Sequence, residues 1–325
     1  MASFRLGVVL GFDSEVRLEI DGLRRALDSP QMSIVEPHIT LSSPTNVDGN
    51  LLVSRLLALF RMATLMDSFE AEIGPSGSFR ADKFVALLKV QSDFDLAKLS
   101  HAVRKVMGLG DPQYPFVPHV TLYDGATEKL VDAVELLFSG YRRRSWFDSL
   151  VIFRMNKKGA YAKFAEPILT GEFRSSTGGR LTRYYLLRGV GDVLSFLFDD
   201  DFYSCHVGEY GSHLALETSV VDSYSIVGFD EEENPVSFVT VRQCGAIVSL
   251  ERIFVVEQLR GTGLSRGVLG ALAFFVVPRG GRYLEVPAIL CEQRLVSVLD
   301  SLGASLLSRG GDLYSDRYSL NLLNL

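Results

Sequence analysis

The phrase Pro37-His38-Ile39-Thr40-Leu41 returns as Pro118-His119-Val120-Thr121-Leu122, so two of the chain's five histidines stand in one matched setting. Each copy alternates polar and apolar residues. On a strand, successive side chains point to opposite faces, so each histidine shares a face with the threonine two residues on, while Ile39 or Val120 and Leu41 or Leu122 point elsewhere. Two such strands side by side would turn two imidazoles and two hydroxyls into one cleft. With an unperturbed pKa of about 6.5, one ring of such a pair can accept a proton while its charged partner donates one. Displacement at phosphorus uses both acts: a base activates water or a hydroxyl on one side, and an acid protonates the departing oxygen on the other. The threonine hydroxyls are placed to hydrogen-bond the nonbridging phosphate oxygens. This scheme calls for no metal.

A single His-x-Thr reads as a strand histidine with a satisfied hydrogen bond; a second copy with the same preceding proline and following leucine reads as half of a catalytic pair. The doubled His-x-Thr-Leu resembles the 2H phosphoesterase superfamily, which includes 2'-5' RNA ligase-like proteins and cyclic phosphodiesterases. The resemblance covers roughly residues 1–170. It implies a bilobal fold of two similar α+β halves with one motif from each half facing a central groove. It implies His38 and His119 as acid and base, and Thr40 and Thr121 as phosphate ligands. The implied substrates are 2',3'-cyclic phosphates or 2'-5' linkages of RNA and nucleotides, which depend on the ribose 2'-oxygen.

The elements that must position these residues can be read from the pattern. Phe4 to Leu10 is strand-like, and Ser14 to Leu27 has helical apolar spacing at Val16, Ile20, Leu23 and Leu27 with Ser14 as N-cap. The first motif strand and a helix over Asp48 to Met62 follow. Phe69 to Ile73 and Phe84 to Val90 read as strands joined by a Gly74-Pro75-Ser76-Gly77 turn. A helix over Asp95 to Met107, the second motif strand and a helix over Glu128 to Phe138 repeat the order. Trp146 to Met155 and Ala160 to Phe164 close the half as a hairpin. Strand, helix, motif strand, helix thus occurs twice, which suits a duplicated split β-α-β arrangement.

At 325 residues, 47% hydrophobic and 22% charged, the chain has room for two soluble globular domains. Residues 1–175 carry 21 Lys+Arg and 21 Asp+Glu, and residues 176–325 carry 12 and 18, together giving the net charge of −6. Neither half is basic enough to grip long double-stranded nucleic acid through its phosphates, so the expected partner is a nucleotide or RNA end. Local positive charge stands at Arg142-Arg143-Arg144, Lys157-Lys158 and Lys163. Cys205, Cys244 and Cys291 form neither a CxxC pair nor an even set, which speaks against a disulfide framework or zinc site and for a reducing cytoplasm. No signal peptide or membrane span is read: the strongest apolar run, Val268 to Val277, is too short. The serine- and glycine-rich stretch around Ser175 to Gly179 is read as a linker, giving domains over 1–172 and 181–325 with residues 173–180 between them.

In the second half, a strand over Leu250 to Val256 runs into Gln258-Leu259-Arg260-Gly261-Thr262-Gly263-Leu264-Ser265 and then a helix ending near Phe275. Strand, glycine turn and helix form an anion trap, because unpaired N–H groups at a helix N-terminus point at bound phosphate and glycines let the backbone approach. Around it stand a hairpin of Tyr224 to Phe229 and Val236 to Arg242, a strand over Tyr283 to Val286, a helix over Glu292 to Leu302 and a final strand pair. Residues 180–325 resemble the GNAT acyltransferase family, whose Gln/Arg-x-x-Gly-x-Gly/Ala signature is matched by Gln258, Gly261 and Gly263. The resemblance implies a mixed α/β sheet binding acetyl-CoA, with pyrophosphate on the backbone of residues 259–265, and transfer to an amine acceptor. Where many members carry a tyrosine this chain has Leu299; Tyr314 or Tyr318 stands as a substitute acid, and Glu251 or Glu217 as a base.

The expectation is therefore a cytoplasmic, bifunctional α+β protein: a phosphodiesterase (hydrolase) fused to a GNAT-like domain. Two rivals stand beside it. Acetyl transfer is the main activity and the first domain selects a nucleotide-bearing acceptor, or both clefts are non-catalytic nucleotide and acetyl-CoA sensors.

Overall fold

The structure is a computed structural model describing residues 3–81, 83–110, 112–156, 159–177, 180–189, 192–198, 222–287, 293–307 and 317–325. The chain divides into two compact units, Met1–Thr170 and Gly171–Leu325. Among the described residues no helix is long and apolar enough to cross a membrane.

The first unit runs β1 (Ser3–Gly11), α1 (Ser14–Ala26), β2 (His38–Asp48), α2 (Gly49–Thr64), β3 (Phe69–Arg80), β4 (Phe84–Gln91), α3 (Leu96–Val106), β5 (His119–Ala126), α4 (Glu128–Leu137), β6 (Arg143–Phe147), β7 (Val151–Met155) and β8 (Tyr161–Ala165). Its strands form one eight-stranded sheet in the order β6-β3-β4-β5-β2-β1-β7-β8, with every neighbouring pair antiparallel. The order is a palindrome of roles about its centre. β2 corresponds to β5, β1 to β4, β7 to β3, β8 to β6, and α1 and α2 to α3 and α4. This is the duplicated bilobal α+β arrangement, with the two motif strands side by side at the middle.

The sheet is curled. β6 and β7 stand six strand positions apart, yet only Asp148 to Leu150 join Phe147 to Val151. That link reaches about 15 Å at most, whereas six spacings in a flat sheet would take about 29 Å. This corrects the reading of Trp146 to Met155 as one strand: its two ends serve different lobes.

Two other local readings are corrected. Helix α1 is capped by Asp13, whose carboxylate accepts from the Val16 N–H at 2.9 Å, not by Ser14. Both residue types cap well, and Asp13 is held besides by Ser145 Oγ at 3.1 Å. The Gly74-Pro75-Ser76-Gly77 segment is not a turn; β3 runs through it as a bulge between Ile73 and Ser76. Gly74 has φ +115°, and a Cβ there would lie 2.0 Å from the Tyr141 carbonyl oxygen, so glycine admits a close backbone approach inside a long strand.

The second unit contains β9 (Phe173–Thr177), β10 (Arg180–Arg188), α5 (Asp192–Leu197), β11 (Asp222–Phe229), β12 (Pro235–Cys244), β13 (Ile247–Val255), α6 (Leu264–Val276), β14 (Tyr283–Pro287), α7 (Gln293–Ser301), β15 (Ser305–Leu307) and β16 (Arg317–Asn321). Its sheet has the order β15-β16-β14-β13-β12-β11-β10-β9. All described pairs are antiparallel except β13 with β14, which makes it a mixed α/β sheet. The residues read as a linker hold β9, paired with β10 from Phe173↔Tyr184 to Thr177↔Arg180. Phe173 overrides the loop-like composition, because its ring packs against Phe274 and Tyr184 at centroid distances of 5.4 and 5.9 Å.

Candidate active site

The two motif strands meet in a ladder of one residue pair, Ile39↔Val120, antiparallel. Continuing that register sets His38 across from Thr121 and Thr40 across from His119. The imidazoles are thus diagonal neighbours on one face. Ile39, Leu41, Val120 and Leu122 are all buried on the opposite face, at most 2% exposed, while the histidines and threonines are half-buried. The alternation read from the sequence is the alternation of the strands.

A ladder of one pair leaves carbonyls of the motif strands to be satisfied elsewhere. The Thr121 carbonyl accepts from Arg24 Nε and Nη2 at 3.0 and 2.9 Å. The Leu41 carbonyl accepts from Ser100 Oγ at 2.7 Å. The first helix of each lobe therefore reaches to the other lobe's motif strand, and the two strands part on either side of Ile39 and Val120. Arg24 Nη1 also donates to the Val35 carbonyl at 3.0 Å, tying down the approach to His38.

Both rings are held in the same tautomer. His38 Nδ1 lies 2.7 Å from the Glu36 carbonyl oxygen, and His119 Nδ1 lies 2.8 Å from that of Val117. A carbonyl only accepts, so Nδ1 carries the hydrogen and each Nε2 holds the lone pair. The Thr40 hydroxyl donates to His38 Nε2 at 3.1 Å. The flanking aromatics repeat the symmetry: Phe153 on β7 meets His38 edge to face at 5.8 Å, and Phe79 on β3 meets His119 at 4.8 Å.

Burial pushes the His38 pKa down to about 4, with the Arg24 guanidinium and His119 adding in the same direction against the Glu36 hydrogen bond. Burial likewise lowers His119 against its bond to Val117. At neutral pH both rings rest unprotonated. Among the described residues no three histidine, cysteine, aspartate or glutamate side chains gather as a metal would need.

Arg24 was missed by the sequence reading although a signal was present. The buried stripe of α1 is Val16, Ile20 and Arg24, rather than one continued by Leu23 and Leu27. A cation at the i+4 position of an apolar stripe marks a buried partner. The arginines noticed in the sequence are instead engaged by carboxylates: Arg142 by Glu72, Arg143 by Glu15 and Glu19, and Arg144 by Glu70. Lys163 is bonded to Glu166 at 2.5 Å. Lys157 and Lys158 lie outside the described residues.

In the second unit, Gly261 and Gly263 have φ +83° and +89°, and Gly263 caps α6 without a side-chain hydrogen bond. The N–H groups of Leu264 and Ser265, the first of α6, have no acceptor within the helix, whereas those of Arg266 and Gly267 donate to the Gly263 carbonyl. Side chains of the loop are turned to other tasks. Leu264 joins a buried cluster with Val236 and Val255, against which Leu259 packs. Arg260 Nε donates to the Val255 carbonyl at 3.1 Å, and the Thr262 hydroxyl donates to that of Leu259 at 2.7 Å. Gln258 is exposed and Ser265 half-buried. What the loop offers an anion is backbone. Beside it, β13 pairs with β14 only from Ile247↔Tyr283 to Ser249↔Glu285, so the edge of β13 from Leu250 to Val255 lies beyond that pairing.

The residues weighed for acetyl transfer fare unevenly. Leu299 is fully buried at 0% exposure, and the Glu251 carboxylate is held by Arg242 at 2.6 Å. Tyr318 is half-buried on β16 across from Leu306 and Val286. Glu217, Tyr314, Cys205 and Cys291 lie outside the described residues.

Residues 12–159 match the family described as the 2'-5' RNA ligase superfamily, so the resemblance read from the doubled motif holds over that segment. A Bacillus cereus (strain B4264) protein named as a phosphoesterase is 29% identical over 124 residues, covering 38% of this chain and 72% of its own length. Among solved structures, Escherichia coli LigT complexed with 3'-AMP is 20% identical and covers 52% of this chain and 99% of its own, at a TM-score of 0.43. An N-acetyltransferase from Lactobacillus plantarum is 15% identical, covering 31% of this chain and 69% of its own at a TM-score of 0.27.

Proposed function

We propose that the first unit is a metal-independent phosphodiesterase that opens a 2',3'-cyclic phosphate or cuts a 2'-5' linkage of RNA or a nucleotide. The observation that carries this reading is the single Ile39↔Val120 pair, which makes His38 and His119 diagonal neighbours with Thr40 and Thr121 between them. A phosphate seated among the four has an Nε2 on either side. One Nε2 takes a proton from water as that water attacks phosphorus; the other, protonated, gives its proton to the ribose oxygen as the P–O bond breaks. The threonine hydroxyls donate to the nonbridging oxygens, whose negative charge grows in the transition state. The match of residues 12–159 supports the same chemistry.

The lowered pKa values fix a pH dependence. The reactive free enzyme holds one neutral and one protonated ring, and both rings titrate below the usual value of about 6.5. Above that value the singly protonated fraction falls about tenfold per pH unit. On a 2',3'-cyclic nucleotide, kcat/KM is expected to drop about tenfold from pH 7 to 8, to peak below 6.5, and to decline again only toward pH 4, where His38 titrates. Turnover followed by phosphate-ester chromatography from pH 4 to 9 checks this; an optimum at or above 7.5 rules it out.

For the second unit the proposal is acetyl-CoA binding. The donors that fit the pyrophosphate are the backbone N–H groups of Gly261, Gly263, Leu264 and Ser265, and the edge of β13 beyond Ser249 fits an extended amide-bearing arm. The group would supply an activated acyl thioester when bound; this chain's part is to hold its phosphates and orient that arm. Calorimetry with acetyl-CoA is expected to show binding that Gly261→Asp lowers at least tenfold by setting a carboxylate against the phosphates, while the uncharged Gly261→Asn keeps most of it. Equal loss in both variants would point to strain alone. Buried Leu299 and paired Glu251 favour binding without transfer as the second reading of this unit.

A further inference from the structure

The two halves of the cleft floor are built alike but charged differently. On the site face, His38 stands across from Gly11 and Thr40 from Val9, which continues to Val151 on β7. In the other lobe His119 stands across from Lys89 and Thr121 from Leu87, which continues to Gly77 on β3. Gly11 therefore corresponds to Lys89, and Val151 to Gly77. In each lobe a glycine makes room for the side chain at the diagonal position. A Cβ on Gly11 would come within 3.0 Å of Val151 Cγ2, and a Cβ on Gly77 within 2.8 Å of Lys89 Cε. The same space is filled by a valine in one lobe and by the stem of a lysine in the other.

The surroundings extend the contrast. Val9, Val151 and Phe153 form one buried cluster, with Val35 and Tyr161 packed on it, so the floor beside His38 is apolar and aromatic. Beside His119 the buried Leu87 and the ring of Phe79 also line the floor, but there Lys89 is exposed and makes no ion pair among the described residues. Arg142, Arg143, Arg144 and Lys163, by contrast, are each held by a carboxylate.

We propose that Lys89, laid over Gly77, is a second anion subsite beside the scissile position, and that the substrate is a nucleotide bearing a further phosphate. The nucleoside then lies over the apolar floor of the His38 lobe and the extra phosphate reaches the ammonium in the His119 lobe. An exposed ammonium without an ion-pair partner gains a charge-assisted hydrogen bond from such a phosphate without giving up another partner. The inference rests on the phosphodiesterase reading for the place of the scissile group, but its test does not need turnover.

Adenosine 2'-monophosphate and adenosine 2',5'-bisphosphate are titrated into the full chain by calorimetry at fixed ionic strength. The wild type is expected to bind the bisphosphate about tenfold more tightly, the scale of one charge-assisted contact. Lys89→Met removes that preference and leaves monophosphate affinity within about twofold; Lys89→Arg keeps it, and so does Lys163→Met. Gly77→Val, which displaces the lysine stem, weakens the preference without removing the charge. No preference in the wild type, or the same preference in Lys89→Met, overturns the subsite. Absent turnover of any cyclic phosphate with the preference intact instead sinks the phosphodiesterase reading and leaves the subsite standing.

Discussion

Alanine at His38 or at His119 is expected to lower kcat for a 2',3'-cyclic nucleotide by about a hundredfold to ten-thousandfold, the range for removing a general acid or base. The double variant is expected to fall little further, because the rings act in one concerted transfer and the first loss already disables it. Asparagine separates chemistry from structure. Its amide N–H can replace Nδ1–H as donor to the Glu36 or Val117 carbonyl, now bonded at 2.7 and 2.8 Å, while no group replaces Nε2. His38→Asn and His119→Asn should therefore unfold near the wild-type temperature and be as inactive as the alanine variants. Steady-state kinetics with thermal unfolding on the same samples checks this, and more than a tenth of wild-type kcat in either single variant refutes the paired mechanism.

What the sequence made legible was periodicity. A period of two in both motifs, with Ile39 and Val120 on one face and the histidines on the other, is a local property of strands and survives folding unchanged. The helices α2, α3 and α4 were legible for the same reason, each within two residues of its expected ends, with Asp48, Asp95 and Thr127 accepting from the first turn. What failed depended on partners distant in sequence. Ile73 and Ser76 stay in one strand because β4 pairs across the bulge and Ser76 N–H donates to Phe138. Nothing within Gly74-Pro75-Ser76-Gly77 signals that. The split at Phe147 required knowing that β3 and β1 lie in different lobes. Nothing in the strand Phe84 to Val90 singles out Lys89; only pairing sets it across from His119.

On the proposed mechanism, the duplicated geometry lets the site be symmetric in its reacting groups and asymmetric in what it holds. Two equivalent imidazoles can exchange the roles of acid and base, so symmetry of the motifs alone leaves the direction of reaction open. Direction comes from whatever seats the substrate one way round. The apolar cluster of Val9, Val151 and Phe153 against the Lys89 lane is one such difference between the halves on that face. On the proposed mechanism the chemistry resides in what the lobes share and the orientation in what they do not.

Arg24→Met should be the most damaging single change outside the reacting groups. The side chain is 1% exposed and gives three donors to two carbonyls, Thr121 and Val35, with Asp21 Oδ1 at 4.0 Å. Burial lowers its pKa to about 10, so it remains charged at neutral pH. Methionine fills much of the volume but leaves both carbonyls without their donors, at a cost of about 2–4 kcal/mol, read as a lower urea midpoint with unchanged slope. The motif strand carrying His119 then loses its anchor, and kcat should fall about tenfold or more as the rings lose alignment. Loss of stability alone is separated from positioning by the pH profile. The guanidinium helps keep His38 unprotonated, so its removal should move the low-pH limb of kcat/KM upward from about 4. Leu56→Ala, which opens a cavity under α2 at a fully buried position, should destabilise by a similar 2–5 kcal/mol, about the range for such truncations, and leave that limb where it was. A limb that moves in neither variant, or equally in both, would reduce Arg24 to a packing residue.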